Sequence, residues 1–458
     1  MARFPSGPAL AAGLLLSLTL APVRAQDAEP GEAAPAAADS FDLDFGFEAK
    51  FHFRDSEELS FPSPFPFPPS FLPPGETRGF LRTVDPGSHF EISVLTLLVD
   101  ARWGENLQAH AKVDVVDLHD RNPTSSDRNL DVDELWIRFG SDPGRGPEGF
   151  GLYAKIGKFA HFERNDDRRL ESYGLVSTAF NRFEDAGLEL GADLGRHVYL
   201  RLSLTQGNPV FLRDPNALAG DNGTPDTDPR VHPNPVPELG NGFPIFYDAE
   251  VEDLDVDGEF ETEGGLGLRF GDPDFGPFVD VLGFYSERKL AERAPLHGTF
   301  YGGDLDLLDG PIEGFGLPIT GDRKREMGGN LRVKAGGFVF FGQYVAQELA
   351  GLDRTGYEGE AAWRFELPLR WAVGGRQLFP SIQPVLRYSK LEPEFAGPSP
   401  QFPAVSARWD WVKVDYGVRL GIVEGIDLTA EYADNTLTTA AGVDLSEDEV
   451  LVTLRVRR

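Results

Sequence analysis

The sequence predicts an all-β chain, a transmembrane antiparallel β-barrel of about sixteen strands, and three observations carry that prediction. Runs of about ten residues alternate apolar and polar from residue 41 to the end, the period-2 pattern of a strand with one greasy and one wet face. Short and long connections alternate along the chain. The N-terminus has the layout of a secretory signal peptide: Arg3, then ALAAGLLLSLTLA at 9–21, then the small-residue site VRA at 23–25. The expected division is a signal peptide over 1–25, a short periplasmic linker over 26–40 and the barrel over 41–458. No later segment has the roughly 18 consecutive apolar residues that a membrane helix needs. Hydrocarbon offers backbone groups no hydrogen-bond partner, so strands can cross it only in a sheet that closes on itself.

In chain order the alternating runs are 41–53, 88–102, 105–118, 130–140, 150–160, 182–194, 196–207, 259–271, 276–288, 323–335, 336–348, 355–366, 380–391, 408–420, 424–434 and 447–456. Tight, turn-rich connections follow the second, fourth, sixth, eighth, tenth and fourteenth: WGEN, GSDPGRGPEG, DLGRH, GDPDFG, KAGG and GIVEG. Long ones lie between, at 54–87, 161–181, 208–258 and 289–322. This predicts short periplasmic turns at one rim and long extracellular loops at the other. Two connections depart from the rule: LPLRWAVGGRQLF after Glu366 is longer than a turn, and 349–354 is shorter than a loop.

The faces follow from the phase. In HVYLRLSLTQG (197–207), Val198, Leu200, Leu202 and Leu204 are expected toward lipid, and Tyr199, Arg201, Ser203 and Thr205 toward a wet lumen. Likewise Val412, Val414, Tyr416, Val418 and Leu420 point outward against Lys413, Asp415 and Arg419 inward, and Ile426, Leu428, Ala430 and Tyr432 outward against Asp427, Thr429 and Glu431 inward. Trp103, Trp363, Trp409 and Trp411 fall near strand ends, where an aromatic girdle is expected. The same phase assigns thirteen basic residues to the pore lining (Lys112, Arg138, Lys155, Arg201, Arg269, Arg332, Lys334, Arg364, Arg387, Lys413, Arg419, Arg455 and Arg457) against eleven acidic ones (Asp114, Glu134, Asp185, Glu189, Asp193, Glu358, Glu360, Glu366, Asp415, Asp427 and Glu431). Such near balance argues against strong phosphate selectivity. The last outward phase, Val450, Val452, Leu454 and Val456, runs on to Arg458 without the terminal aromatic usual in outer-membrane barrels, which bears on assembly.

Residues 129–205 add motifs. DELWIRFG (133–140), YAKIGKFAHFER (153–164) and RFEDAGLELGADL (182–194) together resemble the phosphate-selective porin O and P family. The resemblance implies an outer-membrane porin, a homotrimer in lipid and lipopolysaccharide, passing small hydrophilic solutes, anions among them, by passive diffusion. It carries over no phosphate-binding residue. The alternative is a soluble secreted all-β protein that binds a partner through its acidic loops.

Other chemistry is sparse. The net charge of −31 makes nucleic acid a poor partner, and the absence of cysteine excludes a disulfide scaffold. Asp253, Asp255 and Asp257 followed by Gly258 form the start of a calcium loop, but position 264, where a bidentate Glu belongs, is Gly264; Ca2+ there competes with a plainly solvated acidic loop. The eight histidines show no Ser/His spacing, so no enzyme is expected. The sharpest expectation concerns 161–181. As the third long loop it should fold into the barrel, so that Arg164, Asp166, Asp167, Arg168, Arg169 and Glu171 form a pore constriction in which low-dielectric walls strengthen their action on a passing ion.

Overall fold

The structure is a computed structural model, and it describes residues 41–57, 59–62, 80–84, 87–116, 130–141, 150–165, 168–180, 184–207, 250–251, 260–272, 276–290, 296–297, 321–394, 410–438, 442 and 444–458. The signal-peptide and linker segments, the acidic run with Asp253, Asp255 and Asp257, and also Asp166, Asp167 and Trp409 lie outside the described residues.

Sixteen antiparallel strands form one closed sheet. They are β1 (Phe41–Ser56), β2 (Gly87–Trp103), β3 (Leu107–Val116), β4 (Asp131–Gly140), β5 (Phe150–Phe159), β6 (Asp185–Leu194), β7 (Val198–Thr205) and β8 (Glu261–Gly271). The second half is β9 (Phe278–Lys289), β10 (Arg323–Ala335), β11 (Phe338–Leu349), β12 (Leu352–Trp363), β13 (Ser381–Glu394), β14 (Asp410–Val423), β15 (Ile426–Thr438) and β16 (Asp444–Arg457). Each pairs with its neighbours in sequence, and β16 returns to β1 through a register running from Glu48↔Arg457 to Ser56↔Glu449. Closure leaves no sheet edge, so both backbone faces of every strand are paired within the wall.

All sixteen predicted strands are present, within a few residues of their expected bounds. The phase holds too: along β7, Leu200, Leu202 and Leu204 are exposed while Tyr199, Arg201, Ser203 and Thr205 are buried. The exposed set is the outer wall. Leu135, Ile137, Leu152, Ile156, Leu190, Leu266, Leu268 and Leu386 continue it around the barrel. A soluble protein does not expose so continuous an apolar band, which is why the secreted binding-protein reading is not favoured.

Two aromatic belts bound this band. At the tight-turn rim stand Phe41, Trp103, Phe139, Phe150, Phe270, Trp363 and Phe365, with Phe41 and Trp103 ring centroids 5.0 Å apart across the β1–β2 pair. Toward the loop rim a row of tyrosines replaces them: Tyr344, Tyr357, Tyr388, Tyr416 and Tyr432, paired as Tyr357–Tyr388 at 6.0 Å and Tyr416–Tyr432 at 5.1 Å. Trp411 belongs to neither belt. It is 1% exposed and points inward, correcting the girdle assignment. Its neighbours in the alternation explain this: Val412 and Val414 take the lipid phase, which leaves Trp411 the lumen phase shared with Lys413 and Asp415.

The two irregular connections resolve simply. β11 and β12 join through the two-residue turn Ala350–Gly351, both in the left-handed region (φ 50° and 86°). β12 stops at Trp363; beyond a break at Arg364, Phe365–Glu366 rejoins β13, and Ala372–Val373 pairs with Arg376–Gln377 as a small hairpin. Arg364 and Glu366 therefore lie at the tight-turn rim, exposed and 2.8 Å apart; the predicted strand 355–366 ran about three residues too far. Arg457 is also exposed, at the rim.

An inward-facing charge and a lipid-facing apolar residue should respond oppositely to exchange of polarity. Leu202→Lys places an ammonium on the lipid side of β7 and should cost about 2–4 kcal/mol of folding free energy in bilayers, measured by reversible denaturant unfolding. A change within a few tenths of a kcal/mol would mean this face is not against lipid.

Candidate functional site: the inward loop and the charged lumen

After β5 the chain turns into the barrel. Residues 161–165 and 168–180 run along the inner wall and carry a short helix, α1 (Leu175–Ala179). Two kinds of contact hold them there. The first is apolar: Leu175, Val176, Ala179 and Phe180 form one buried cluster with Phe284, Val345, Leu391, Trp411 and Leu437 from β9, β11, β13, β14 and β15. Each of these wall residues occupies the lumen phase that elsewhere is polar. Fully burying a side chain of this size contributes roughly 1.5–3 kcal/mol, so the cluster is a strong anchor. The wall makes room with glycine: a Cβ on Gly356 would stand 2.5 Å from the Phe180 ring, and one on Gly265 would stand 2.5 Å from Phe162.

The second is an ionic network. Glu171 lies 3.1 Å from Lys50, 3.1 Å from Arg419 and 3.6 Å from Arg455, joining β1, β14 and β16. Burial alone would raise the Glu171 pKa, but Lys50, Arg419 and Arg455 outweigh it and hold the carboxyl well below the usual range. Next to it, the backbone N–H groups of Glu171 and Ser172 donate to Glu431 Oε1 at 3.0 and 3.3 Å, and Ser172 Oγ donates to Glu431 Oε2 at 2.9 Å. Arg387 donates to Asp415 Oδ2 at 2.9 Å and to Ser172 Oγ at 2.7 Å. Lys413 donates to the Tyr173 carbonyl, and Arg354 donates to the Ala179 carbonyl at 2.7 Å, satisfying an orphan acceptor at the end of α1. The Arg169 N–H donates to Glu360 at 2.8 Å.

The predicted loop residues thus separate. Glu171 is at the centre of the network; Arg168 lies with its guanidinium 3.5 Å from the Tyr173 ring centroid; Arg164 pairs with Glu184, and its carbonyl accepts from Arg332 at 3.0 Å. Most wall charges that the alternation placed inward are inward and paired: Lys155 with Glu189 at 3.0 Å, Arg201 with Asp193 at 3.1 Å, Arg269 with Asp280 at 3.5 Å, Arg455 with Asp427 at 2.8 Å, and Lys112 with Asp133. Asp114 accepts from Thr96 at 2.5 Å, Glu134 from Trp136 at 2.9 Å, and Arg138 donates to Gln108 at 2.7 Å; Arg332 and Lys334 are half-buried on β10. Glu358 is buried beside Ser389. Sequence reasoning missed His52, Arg54, Glu261, Glu263, Lys324, Glu326, Arg354 and Glu449, all buried on the same wall, and the half-buried Lys50. It also missed the apolar seat of α1. The signal for that seat was available: Phe284, Val345, Leu391, Trp411 and Leu437 break the apolar/polar alternation in the same phase, and the apolar stretch at 175–180 has to be covered by something.

A smaller cluster sits where the chain leaves β5. His161, Glu163 and Glu263 are all buried, with one potential ligand atom of each within 4.8 Å of the others. Burial, and then the Glu263 carboxylate, raise the Glu163 pKa well above the ordinary range, with His161 opposing. The Glu261 and Glu263 carboxylates lie in the lumen wall of β8, where Lys324 and His161 face them.

No family model and no curated protein matches this chain. Among solved structures it is similar to the outer membrane channel DcaP of Acinetobacter baumannii, with a TM-score of 0.50 at 10% identity over 91% of this chain and 97% of that one. OprB of Pseudomonas putida aligns with a TM-score of 0.48 at 9% identity over 91% and 93% of the two chains, and an anion-selective porin from Comamonas acidovorans with 0.45 at 7% over 92% and 100%. The likeness is one of fold. The chain has the closed-barrel architecture of bacterial outer-membrane porins.

The Glu171 network makes a measurable claim about the loop. Glu171→Gln takes one partner from each of three buried or half-buried cations and should cost about 3 kcal/mol locally, read as faster amide exchange over 173–179. A depressed carboxylate pKa contributes stability above the unfolded value of about 4.3 and loses it only as pH falls through the lower folded value. Protection of these amides should therefore hold from about pH 7 to pH 5. Early loss across that window would contradict the network.

Proposed function

We propose that the protein is an outer-membrane porin, a water-filled channel for passive diffusion of small hydrophilic solutes and ions, anions among them. The observation that carries the reading is the division of the wall: apolar and exposed outside, ionised and paired inside, with a loop fastened across the interior by the Glu171 network. An apolar exterior suits lipid, and an interior of ion pairs suits water.

On this reading residues 161–181 narrow the pore. Arg168 and Arg169 present cations to Glu360 on the wall, and help set ion preference. The inward cations Lys155, Arg201, Arg269 and Arg455 are matched by carboxylates, which supports a general pathway over a phosphate-specific one. Kinship with the phosphate-selective porin O and P family, and with it a homotrimer in lipid and lipopolysaccharide, rests on the motifs of residues 129–205. Enzymatic chemistry draws no support from His110, His161 and His197, whose rings contact Asp100, Glu263 and the Arg269 carbonyl.

The test is electrical. In planar bilayers under a salt gradient, the Arg168→Glu/Arg169→Glu double variant should move the zero-current potential toward cation preference. The expected change is about twofold or more in the permeability ratio, since charge in a low-dielectric passage sets local ion concentration. The same exchange at Arg121 and Arg128 should do less. Equal shifts at the two places would put this loop outside the conducting path, and lipid cleavage without solute flux would end the porin reading.

A further inference from the structure

We propose that His161, Glu163 and Glu263 bind a divalent transition-metal ion of the Zn2+ type, which ties the entrance of the inward loop to the barrel wall. The three residues come from different places: His161 and Glu163 flank Phe162 where the chain leaves β5, and Glu263 projects from β8. The three residues are 5%, 4% and 6% exposed, and one ligand atom of each lies within 4.8 Å of the other two.

The donor set fits such an ion. One imidazole nitrogen with two carboxylate oxygens is a borderline set that Zn2+ accepts at about 2.0–2.2 Å, leaving a further position for water. An all-oxygen ion such as Ca2+ would not use the imidazole. A cation also answers a local difficulty: two carboxylates meeting in a buried space repel unless a proton or a positive ion lies between them.

One atom in the cluster points to a ligand independently of the count of acids. Glu163 Oε2 is buried and has no hydrogen-bond partner among the described residues. His161 Nδ1 lies 3.3 Å from Glu263 Oε2, a contact a metal would take over. The other ring nitrogen then faces Asp185 Oδ2 at 3.8 Å, where a small closure gives the carboxylate support that metal-bound histidines use to fix ring orientation. Asp185 is itself held by the N–H groups of Ala186 and Gly207, both at 2.8 Å, and Ser203 Oγ lies 3.3 Å from Glu263 Oε2.

The surroundings are built and rigid. The Glu163 carbonyl accepts from Asn330 Nδ2 and, at 3.1 Å, from Gln343 Nε2, so β10 and β11 fix the backbone between the ligands. Phe162 packs against Gly265 and against the α1 cluster, so the ring between the two ligands is seated as well. The site is separate from Asp253, Asp255 and Asp257, and its existence does not require the channel reading.

The experiment uses the full chain refolded in detergent and stripped with chelator, titrated with Zn2+ against a chromophoric competitor and with Co2+ in the visible. The expected result is saturable binding of about one ion per chain. Co2+ should show ligand-field bands of a low-coordinate site with an imidazole nitrogen, and Zn2+ should raise the thermal midpoint. His161→Asn and Glu163→Gln should abolish the bands. Asp185→Asn, a positioning residue, should weaken binding about 10–100-fold while keeping the spectrum. The variant with Asp253, Asp255 and Asp257 all changed to Asn should bind as wild type. Should a variant fail to fold, X-ray absorption of the Zn2+-loaded wild-type protein decides by the presence or absence of an imidazole shell. No saturable binding overturns the proposal and leaves a shared proton between Glu163 and Glu263; so does an all-oxygen shell, or loss of the site in the triple Asn variant.

Discussion

Every feature of this chain depends on the fact that hydrocarbon cannot hydrogen-bond a peptide group. A sheet in lipid must pair every backbone donor and acceptor within itself, and the seam between β1 and β16 is where that requirement is met. The pairing extends to the last residue, whose N–H and C=O exchange hydrogen bonds with Phe47, both at 3.0 Å. Closure in turn forces the division of faces. With a side-chain period of two, one set of residues has to meet lipid and the other the interior, so a single register error would move a whole row of leucines into the lumen.

The interior created by closure poses a second problem. It is wide enough to hold a chain segment, and its walls are charged. The loop after β5 meets both conditions with different surfaces. Its apolar helix sits on Phe284, Val345 and Trp411, while Glu171 and Ser172 enter a lattice of ion pairs and hydrogen bonds. The lattice discriminates more than the greasy contact does. A buried ion pair is weak net stabilisation, but removing one partner costs several kcal/mol, so the network fixes one position of the loop rather than a range of them. The paired wall charges leave a lumen of mixed polarity.

Much of the fold was legible. Period-2 runs located all sixteen strands because in a barrel every strand faces lipid on one side, so the apolar phase recurs in each strand and the alternation lapses only where the lumen face seats α1, unlike a parallel sheet buried on both faces. The short/long asymmetry marked the two rims for the same reason. Where the reading failed, competing local facts decided. Arg364 and Glu366 continue the alternation but lie at and just beyond a break in the strand that the alternation does not announce. Trp411 looked like a girdle residue by position along the strand, while its phase, set by Val412 and Val414, sends it inward.

The sequence by itself therefore determined the class of fold, the strands, their faces and the loop most suited to enter the lumen, because all of these follow from local periodicity and turn chemistry. Partners within the lumen were decided by tertiary structure alone. Glu171 meets Lys50, Arg419 and Arg455 across separations of up to 284 residues, and His161 meets Glu263 across 102, because closing the sheet brings strands from opposite ends of the chain around one cavity. Periodicity says which way a side chain points; only the curvature and register of the closed wall say what it finds there.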